Sequence, residues 1–262
     1  MRRFYSTILI AILALTTSCQ LSSEDERGAS KLGKAIWSEA KLDIEFTLDA
    51  IVDVLNVDYL LSMDDEKAQA DVFASLYGLD KELVCADAPT GTYQIITRNA
   101  TTGIVTNRTT YITHKTPLGD GKWEVKRESG DYYEITFTPD NDGRIKAKYN
   151  TLSYIESTGD AELVFFSKCS LSEGVPSFRV SYEGYIELVD PVMSKSRPLT
   201  LTTKTTDISH YSSGRGIIQS NFDITCKDEY YDVTDKISVM VIYNTQRSVT
   251  ITCYGETDTY TM

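Results

Sequence analysis

The hydrophobic positions of this chain change their spacing once, at Pro89, and the change separates a helical part from a β part. From about Ser30 to Val57, apolar residues recur at steps of three and four, the spacing of one face of an α-helix. This pattern predicts one long amphipathic helix, whose broad apolar stripe must pack on something else. A second helix is predicted from about Met63 to Tyr77, with Ser62 as its N-cap and Gly78 ending it in a left-handed conformation.

After Pro89, apolar and polar residues alternate, which is typical of strands with one buried and one solvated face. Trp123 and Val125, for example, alternate with three charged residues. Asp142-Gly143 stands between two such runs and predicts a tight hairpin. Roughly ten to twelve strands joined by short turns indicate an antiparallel meander and not βαβ units.

These elements predict a mostly β protein of the α+β class. A long curved antiparallel sheet, with partial closure into a barrel as one form of it, would be covered by the two N-terminal helices. A two-sheet β-sandwich with a helical prefix is the alternative. We assign residues 30–88 to the helical section and residues 89–262 to the β section, and we expect both to form one domain.

The first 18 residues predict an export signal. Arg2 and Arg3 are followed by an eight-residue apolar core, Ile8 to Leu15, and then by three small residues that end at Ser18. The apolar core is too short to span a bilayer, so it does not predict a transmembrane helix. Ordinary secretory cleavage near Ser18 is one interpretation of this segment.

A second interpretation rests on Cys19, which follows the small residues directly, and on the acidic run Glu24 to Glu26. This arrangement resembles the lipobox and the short acidic export signal of surface-exposed outer-membrane lipoproteins of the Bacteroidota. The resemblance covers the signal region alone. It implies lipidation at Cys19, a tether over residues 19–29, and an outer-membrane location at the cell surface, with a periplasm-facing orientation as the alternative.

The net charge narrows the classes of binding partner, and the cysteine positions narrow the possible disulfides. Without residues 1–18 the chain has 244 residues, 24 of them basic and 38 acidic, for a net charge of −14. Such a surface disfavours nucleic acid and anionic lipid headgroups as partners. No pair of cysteines has C-x-x-C spacing. Cys226 and Cys253 both follow strand residues at steps of two, so they are either a disulfide or two buried thiols.

Motifs for catalysis or for a bound cofactor are not indicated by the sequence. His114 and His210 stand far apart and outside any zinc-binding pattern, and the spacing after Asp140 to Gly143 lacks the ligands of a calcium loop. No nucleophile motif is present, although a pair of carboxylates across a cleft can never be excluded from a sequence. We therefore predict no metal, no cofactor and no catalytic residue.

Tyrosine is the remaining compositional signal, with 17 residues in the chain. Its apolar ring and hydroxyl suit contacts with carbohydrate or protein, and it is also common in half-exposed strands. The candidate contact residues form three close pairs: Tyr132 and Tyr133, Tyr182 and Tyr185, Tyr230 and Tyr231.

The leading functional hypothesis is a non-catalytic envelope lipoprotein that binds a partner, either an outer-membrane β-barrel protein complex or an extracellular glycan. A lipid or lipoprotein acceptor, with an apolar cavity between helix and sheet, is the second hypothesis. A hydrolase that uses two carboxylates is the third.

Overall fold

The computed structural model describes residues 2–113, 121–139, 145–152, 156–165, 177–189, 196–212, 216–228, 233–242, 248–253 and 255–261. For residues 2–30 it describes the backbone alone. Two helices precede the sheet: α1 (Arg2–Leu61) and α2 (Glu66–Tyr77). Helix α1 therefore includes the segment predicted as signal and tether, and cleavage before or at Cys19 stays a prediction.

The N-cap of α2 is Asp65, and the prediction of Ser62 is wrong. The Asp65 side chain accepts hydrogen bonds from the backbone N–H groups of Lys67 (2.9 Å) and Ala68 (3.1 Å), two donors that have no partner inside the helix. The Ser62 hydroxyl instead donates to the Tyr59 carbonyl at the end of α1. Gly78 ends α2 as expected, and its N–H bonds the Ala74 carbonyl. Its φ is positive at +92°, but its ψ of 169° is extended, so the predicted left-handed helical conformation is wrong.

The described residues form thirteen strands in one sheet, and each strand pairs antiparallel with the next one in the chain. The strands are β1 (Lys81–Asp87), β2 (Thr92–Arg98), β3 (Val105–Thr113), β4 (Lys122–Arg127), β5 (Tyr132–Pro139), β6 (Ile145–Leu152), β7 (Glu156–Phe165), β8 (Ser177–Val189), β9 (Ser196–Ser212), β10 (Gly216–Asp228), β11 (Val233–Ile242), β12 (Ser248–Cys253) and β13 (Glu256–Thr261).

The predicted meander behind N-terminal helices is confirmed, and the sandwich alternative is wrong because the strands belong to one sheet. The strand order is linear, and within the described residues β1 and β13 are its two unpaired edges, so the sheet is open. The sheet begins at Lys81, eight residues before the predicted change at Pro89.

Helix α1 lies along the inner face of the sheet and contacts strands from β4 to β13. The sheet therefore curves around the helix. One hydrophobic core contains the apolar stripe of α1, from Leu32 to Leu60, and the inward residues of the strands. Trp37 packs on Phe222 of β10 with ring centroids 5.0 Å apart. Burial of this stripe removes the largest apolar surface of α1 from water, which is the main force holding helix and sheet together.

Polar contacts fix the position of α1 along the sheet. Lys34 forms an ion pair with Asp258 of β13 at 2.5 Å. Glu45 accepts a hydrogen bond from the backbone N–H of Ile217 at 2.5 Å, close to the irregular register between β9 and β10. Gly33 lies so close to β12 that a Cβ there would be 3.0 Å from the Cβ of Cys253.

The candidate disulfide residues lie on the inner face but not on neighbouring strands. Cys226 of β10 is opposite Asp235 of β11, and Cys253 of β12 is opposite Ile237 of the same strand. With β11 between them, their Cα atoms are at least about 9 Å apart, whereas a disulfide requires about 4.4–6.8 Å. Both residues are buried, so the structure favours the alternative of two buried thiols.

Candidate functional site

The six candidate tyrosines do not share one surface. Tyr133 and Tyr182 point inward and are 0% and 3% exposed, which rules them out as exposed contact residues. Their neighbours Tyr132 and Tyr185 point outward, as strand alternation requires. Tyr230 and Tyr231 lie outside the described residues, in the segment that joins β10 to β11.

Tyr132 and Tyr185 occupy the same cross-strand row of the outer face. The pairing runs from Lys126 to Tyr132, through β6 and β7 to Tyr185, and on to Thr200 and Lys227. We call these five residues the outer row. The two tyrosines are three strands apart, or about 14 Å. At its other end, Lys227 pairs with Thr234 of β11.

The tyrosines of the outer row differ in exposure and surroundings. Tyr185 is 46% exposed and is the most accessible aromatic ring of the row. The Tyr132 hydroxyl donates to Glu134 Oε1 at 3.0 Å, and the Lys126 ammonium lies 5.5 Å from the centre of the Tyr132 ring. Glu134 in turn accepts from Lys122 at 3.3 Å. Tyr132 is therefore held by its neighbours, whereas Tyr185 exposes more of its side chain to solvent.

The outer row combines the groups that bind neutral, hydroxyl-rich ligands. An exposed ring offers an apolar face to the C–H groups of a sugar, and lysine and threonine side chains offer hydrogen bonds beside it. The same groups are common in the contact residues of protein interfaces. The row can therefore bind a ligand by surface contact.

A second, buried group of polar side chains lies between α1 and strands β5 to β8. Asp43 of α1 is 3% exposed, and burial raises its pKa to about 6, whereas hydrogen bonding by Ser157 opposes this rise. The Tyr182 hydroxyl also faces Asp43 and, like Ser157, opposes the rise in the Asp43 pKa. With Thr47 and Tyr133, these residues form what we call the inner polar cluster.

Two glycines shape the inner polar cluster. Gly159 lies between Tyr149 and Tyr182 in one cross-strand row, and Gly184 lies beside Ser157 in the next. A Cβ at Gly159 would collide with the Tyr149 hydroxyl, and a Cβ at Gly184 would collide with the Tyr182 hydroxyl. The rings thus lie across the space that glycine leaves, which directs both hydroxyls along the sheet beneath α1.

The inner polar cluster was not predicted from the sequence, although the apolar stripe of α1 carries one signal of it. Asp43 and Thr47 continue the steps of three and four that begin at Ile36 and Ala40, so they occupy polar positions inside the apolar stripe of α1. A carboxyl on a buried helix face needs polar neighbours or a proton. The partners on the sheet come from three separate strands, and only the strand register shows that they meet.

Asp53 forms a third polar group, in which α1, α2 and β3 meet. Its carboxyl oxygens accept hydrogen bonds from Tyr77 (3.4 Å) and Tyr111 (3.3 Å). Burial raises the Asp53 pKa to about 6, and the nearby Arg127 guanidinium opposes this rise. Arg127 lies 5.2 Å from the Tyr133 ring centre and 5.8 Å from that of Phe46. This group connects elements of the fold and is covered by them.

The other predicted site residues are only partly described. Cys19 lies in the part of α1 for which the backbone alone is described, His210 lies in β9 with no described side chain, and His114 and Asp140 to Gly143 lie outside the described residues. Among the described side chains, no group of three or more His, Cys, Asp or Glu is placed to hold a metal ion. No helix in the described part of the chain is long and apolar enough to cross a membrane.

Comparison with known proteins adds no relative: no family model, no curated protein and no solved structure matches this chain. Its function is therefore inferred from its own residues.

Proposed function

We propose that this chain is a lipid-anchored protein of the cell envelope that binds an extracellular glycan on the outward face of its sheet. The observation that supports it best is the outer row, in which Tyr132 and Tyr185 share one register and one solvent-facing surface. Helix α1 occupies the opposite face, so a ligand approaches from the outside. The anchor at Cys19 rests on the sequence resemblance, and it would hold the domain at the membrane.

The anchor is tested by replacing Cys19 with serine in cells that produce the full chain. We expect the unaltered protein to fractionate with membranes and to carry acyl groups on its mature N-terminus in mass spectrometry. The C19S variant should lack acylation and leave the membrane fraction. An unmodified N-terminus near Ser18 or Cys19 in the unaltered protein would instead establish ordinary secretory cleavage.

Glycan binding is tested with residues 20–262, which lack the anchoring Cys19, on a panel of soluble polysaccharides and a glycan array. We expect binding that Tyr185→Ala weakens at least about tenfold, because one lost aromatic contact of 1.4 kcal/mol or more corresponds to that factor. Met240→Ala is the matched control, since Met240 is another exposed side chain of the sheet at 45%. Equal loss in both variants, or binding unaffected by Tyr185→Ala, would argue against the outer row.

An outer-membrane protein partner is the second candidate, and the open edge of the sheet favours it. Within the described residues, β13 is paired on one side only, toward β12, so its other side can offer backbone donors and acceptors to an added strand. A pull-down of the anchored, C-terminally tagged protein from gently solubilised envelopes tests this. A stoichiometric partner, lost when Thr259→Pro removes an N–H from β13, would support the second candidate over the first.

The carrier and hydrolase hypotheses receive less support. A carrier needs an apolar cavity between helix and sheet, whereas the side chains of α1 pack directly on the inner face, as Trp37 does on Phe222. A glycoside hydrolase needs two carboxyls across an accessible cleft. Asp43 and Asp53 have the raised pKa values of such acids. Asp43 is buried and Asp53 is half-buried, however, and ten helical residues place them about 15 Å apart.

A further inference from the structure

We propose that the inner polar cluster is a binding site for ordered water between α1 and strands β5 to β8. The site consists of four side chains: Asp43 and Thr47 from α1, Tyr133 from β5 and Tyr182 from β8. The water would donate to Asp43 Oδ2 and bridge it to the hydroxyls. This site is independent of the outer row and lies on the opposite face of the sheet.

The four polar atoms are buried and unpaired. All four residues are at most 3% exposed, and Asp43 Oδ2, Thr47 Oγ1 and the hydroxyls of Tyr133 and Tyr182 have no hydrogen-bond partner among the described residues. A buried polar atom without a partner typically costs about 1–3 kcal/mol. Four such atoms in one interface would be a large penalty for a fold of ordinary stability, and a shared water removes it.

The four side chains that carry these atoms face the same space between α1 and the sheet. Asp43 and Thr47 are one helical turn apart on the same face of α1, about 5–6 Å between their Cβ atoms. Ser157 hydrogen-bonds to Asp43. In its cross-strand row, Gly184 is the neighbour on one side, and Tyr133 lies two strands away on the other side, beyond Thr151. The Tyr182 ring lies over Gly184. Tyr133 and Tyr182 therefore flank the strand position beneath Asp43.

The chemistry of the four side chains matches water better than an ion. Three hydroxyls both donate and accept, and a carboxyl oxygen accepts, so a water with two donors and two acceptor sites can satisfy several of them. A divalent cation prefers several carboxylate or carbonyl oxygens, and Asp43 alone of the four residues can carry a formal charge. The donor set is therefore that of an internal hydration site.

The direct test is a high-resolution crystal structure of the mature chain. We expect an ordered water about 2.7–3.2 Å from Asp43 Oδ2 and from at least one of the three hydroxyls. Side chains that bond each other with no water between them, or a cluster that is dry, would overturn the proposal. A bound cation or organic ligand at these atoms would overturn it as well.

Three conservative variants give a second test through the urea midpoint of unfolding. If water is bound, Tyr182→Phe and Thr47→Val each lower the midpoint, because each removes a hydrogen bond to it. If the hydroxyls are dry and unpaired, the same changes raise the midpoint or leave it unchanged, which contradicts the proposal. Tyr149→Phe is the control that lowers the midpoint in both cases, since the Tyr149 hydroxyl bonds the Ser181 carbonyl at 3.0 Å.

Discussion

A single carboxyl, that of Asp53, links three elements of the fold through two tyrosine hydroxyls. Its pKa is raised from 3.8 to about 6 by burial, while Arg127 opposes this rise and Asp49 adds to it. The folded protein therefore keeps this proton up to about pH 6, whereas the unfolded chain releases it near pH 4. In that interval the folded state binds more protons, so the free energy of unfolding falls as the pH rises.

We predict that Asp53→Asn makes stability less dependent on pH. Between pH 4.5 and 7.5, the raised pKa of Asp53 alone should lower the free energy of unfolding by about 2 kcal/mol. Asparagine keeps an oxygen acceptor for the tyrosines and does not titrate, so it should remove this part of the slope. Urea titrations of both proteins at the two pH values measure it. Asp71→Asn on the exposed face of α2 is the control, and an equal change there would contradict the prediction.

Gly159 gives a prediction that depends on space alone. Its backbone is extended and has ordinary φ, but a Cβ would collide with the Ser181 carbonyl and the Tyr149 hydroxyl. We expect Gly159→Ala to lower the free energy of unfolding by about 1–3 kcal/mol, because backbone and ring must both move. Gly103→Ala is a poor control because its φ is +68°. Thr101→Ala in an exposed turn is better and should change stability by less than about 0.5 kcal/mol.

The sequence predicted residue orientation where alternation was regular and failed where contacts came from distant strands. Trp123 and Val125, whose alternation with charged residues predicts one buried face, are both buried in the structure. The convergence of Asp43, Ser157 and Tyr182 depends on the register of three strands and on the rotation of α1. Neither quantity is visible in a local pattern, so the inner polar cluster could not be predicted as a whole.

At the scale of elements, the start of α2 separates the sequence prediction from the structure. Both Ser62 and Asp65 are accepted N-cap residues, but only Asp65 accepts hydrogen bonds from N–H groups of the first turn. We predict that Asp65→Ala lowers the free energy of unfolding by about 1 kcal/mol, whereas Ser62→Ala changes it by less than half of that. Thermal unfolding of both variants measures these two losses of stability. A larger loss for Ser62→Ala than for Asp65→Ala would support Ser62 as the N-cap.

Strand β1 shows where the pattern of hydrophobic positions no longer predicts a strand. Its residues 83–86 are apolar in succession, which hides the alternation of a half-buried strand. It is also an edge strand within the described residues, and its last three residues are exposed, so few of its positions need an apolar side chain. Strand β4, in which buried Trp123 and Val125 alternate with charged residues, was recognisable for the opposite reason.

At the scale of the whole molecule, the strand order follows the sequence, whereas the core joins residues from distant parts of the chain. Each strand pairs with its neighbours in sequence, yet α1 contacts strands as distant as β13. Helix α1 thus brings the N-terminal and C-terminal parts of the chain into contacts that strand pairing alone would not make. Because the inner face carries large apolar side chains such as Trp123, Tyr133 and Phe178, the sheet depends on the helix to keep this face from water.

We predict that residues 62–262 are insoluble alone and that a separate peptide of residues 31–61 rescues them. Without α1, the inner face would expose an apolar area far above the few hundred Å² usual for soluble monomers, so aggregation is expected. The peptide carries the stripe from Leu32 to Leu60 that covers this face. Co-refolding followed by gel filtration measures the soluble one-to-one complex. A peptide with Ile44→Asp and Ile51→Asp, two residues 1% exposed in the core, should fail to rescue. If residues 62–262 fold as a soluble monomer without any peptide, the inner face must be covered in another way, and α1 is then not the element around which this sheet is built.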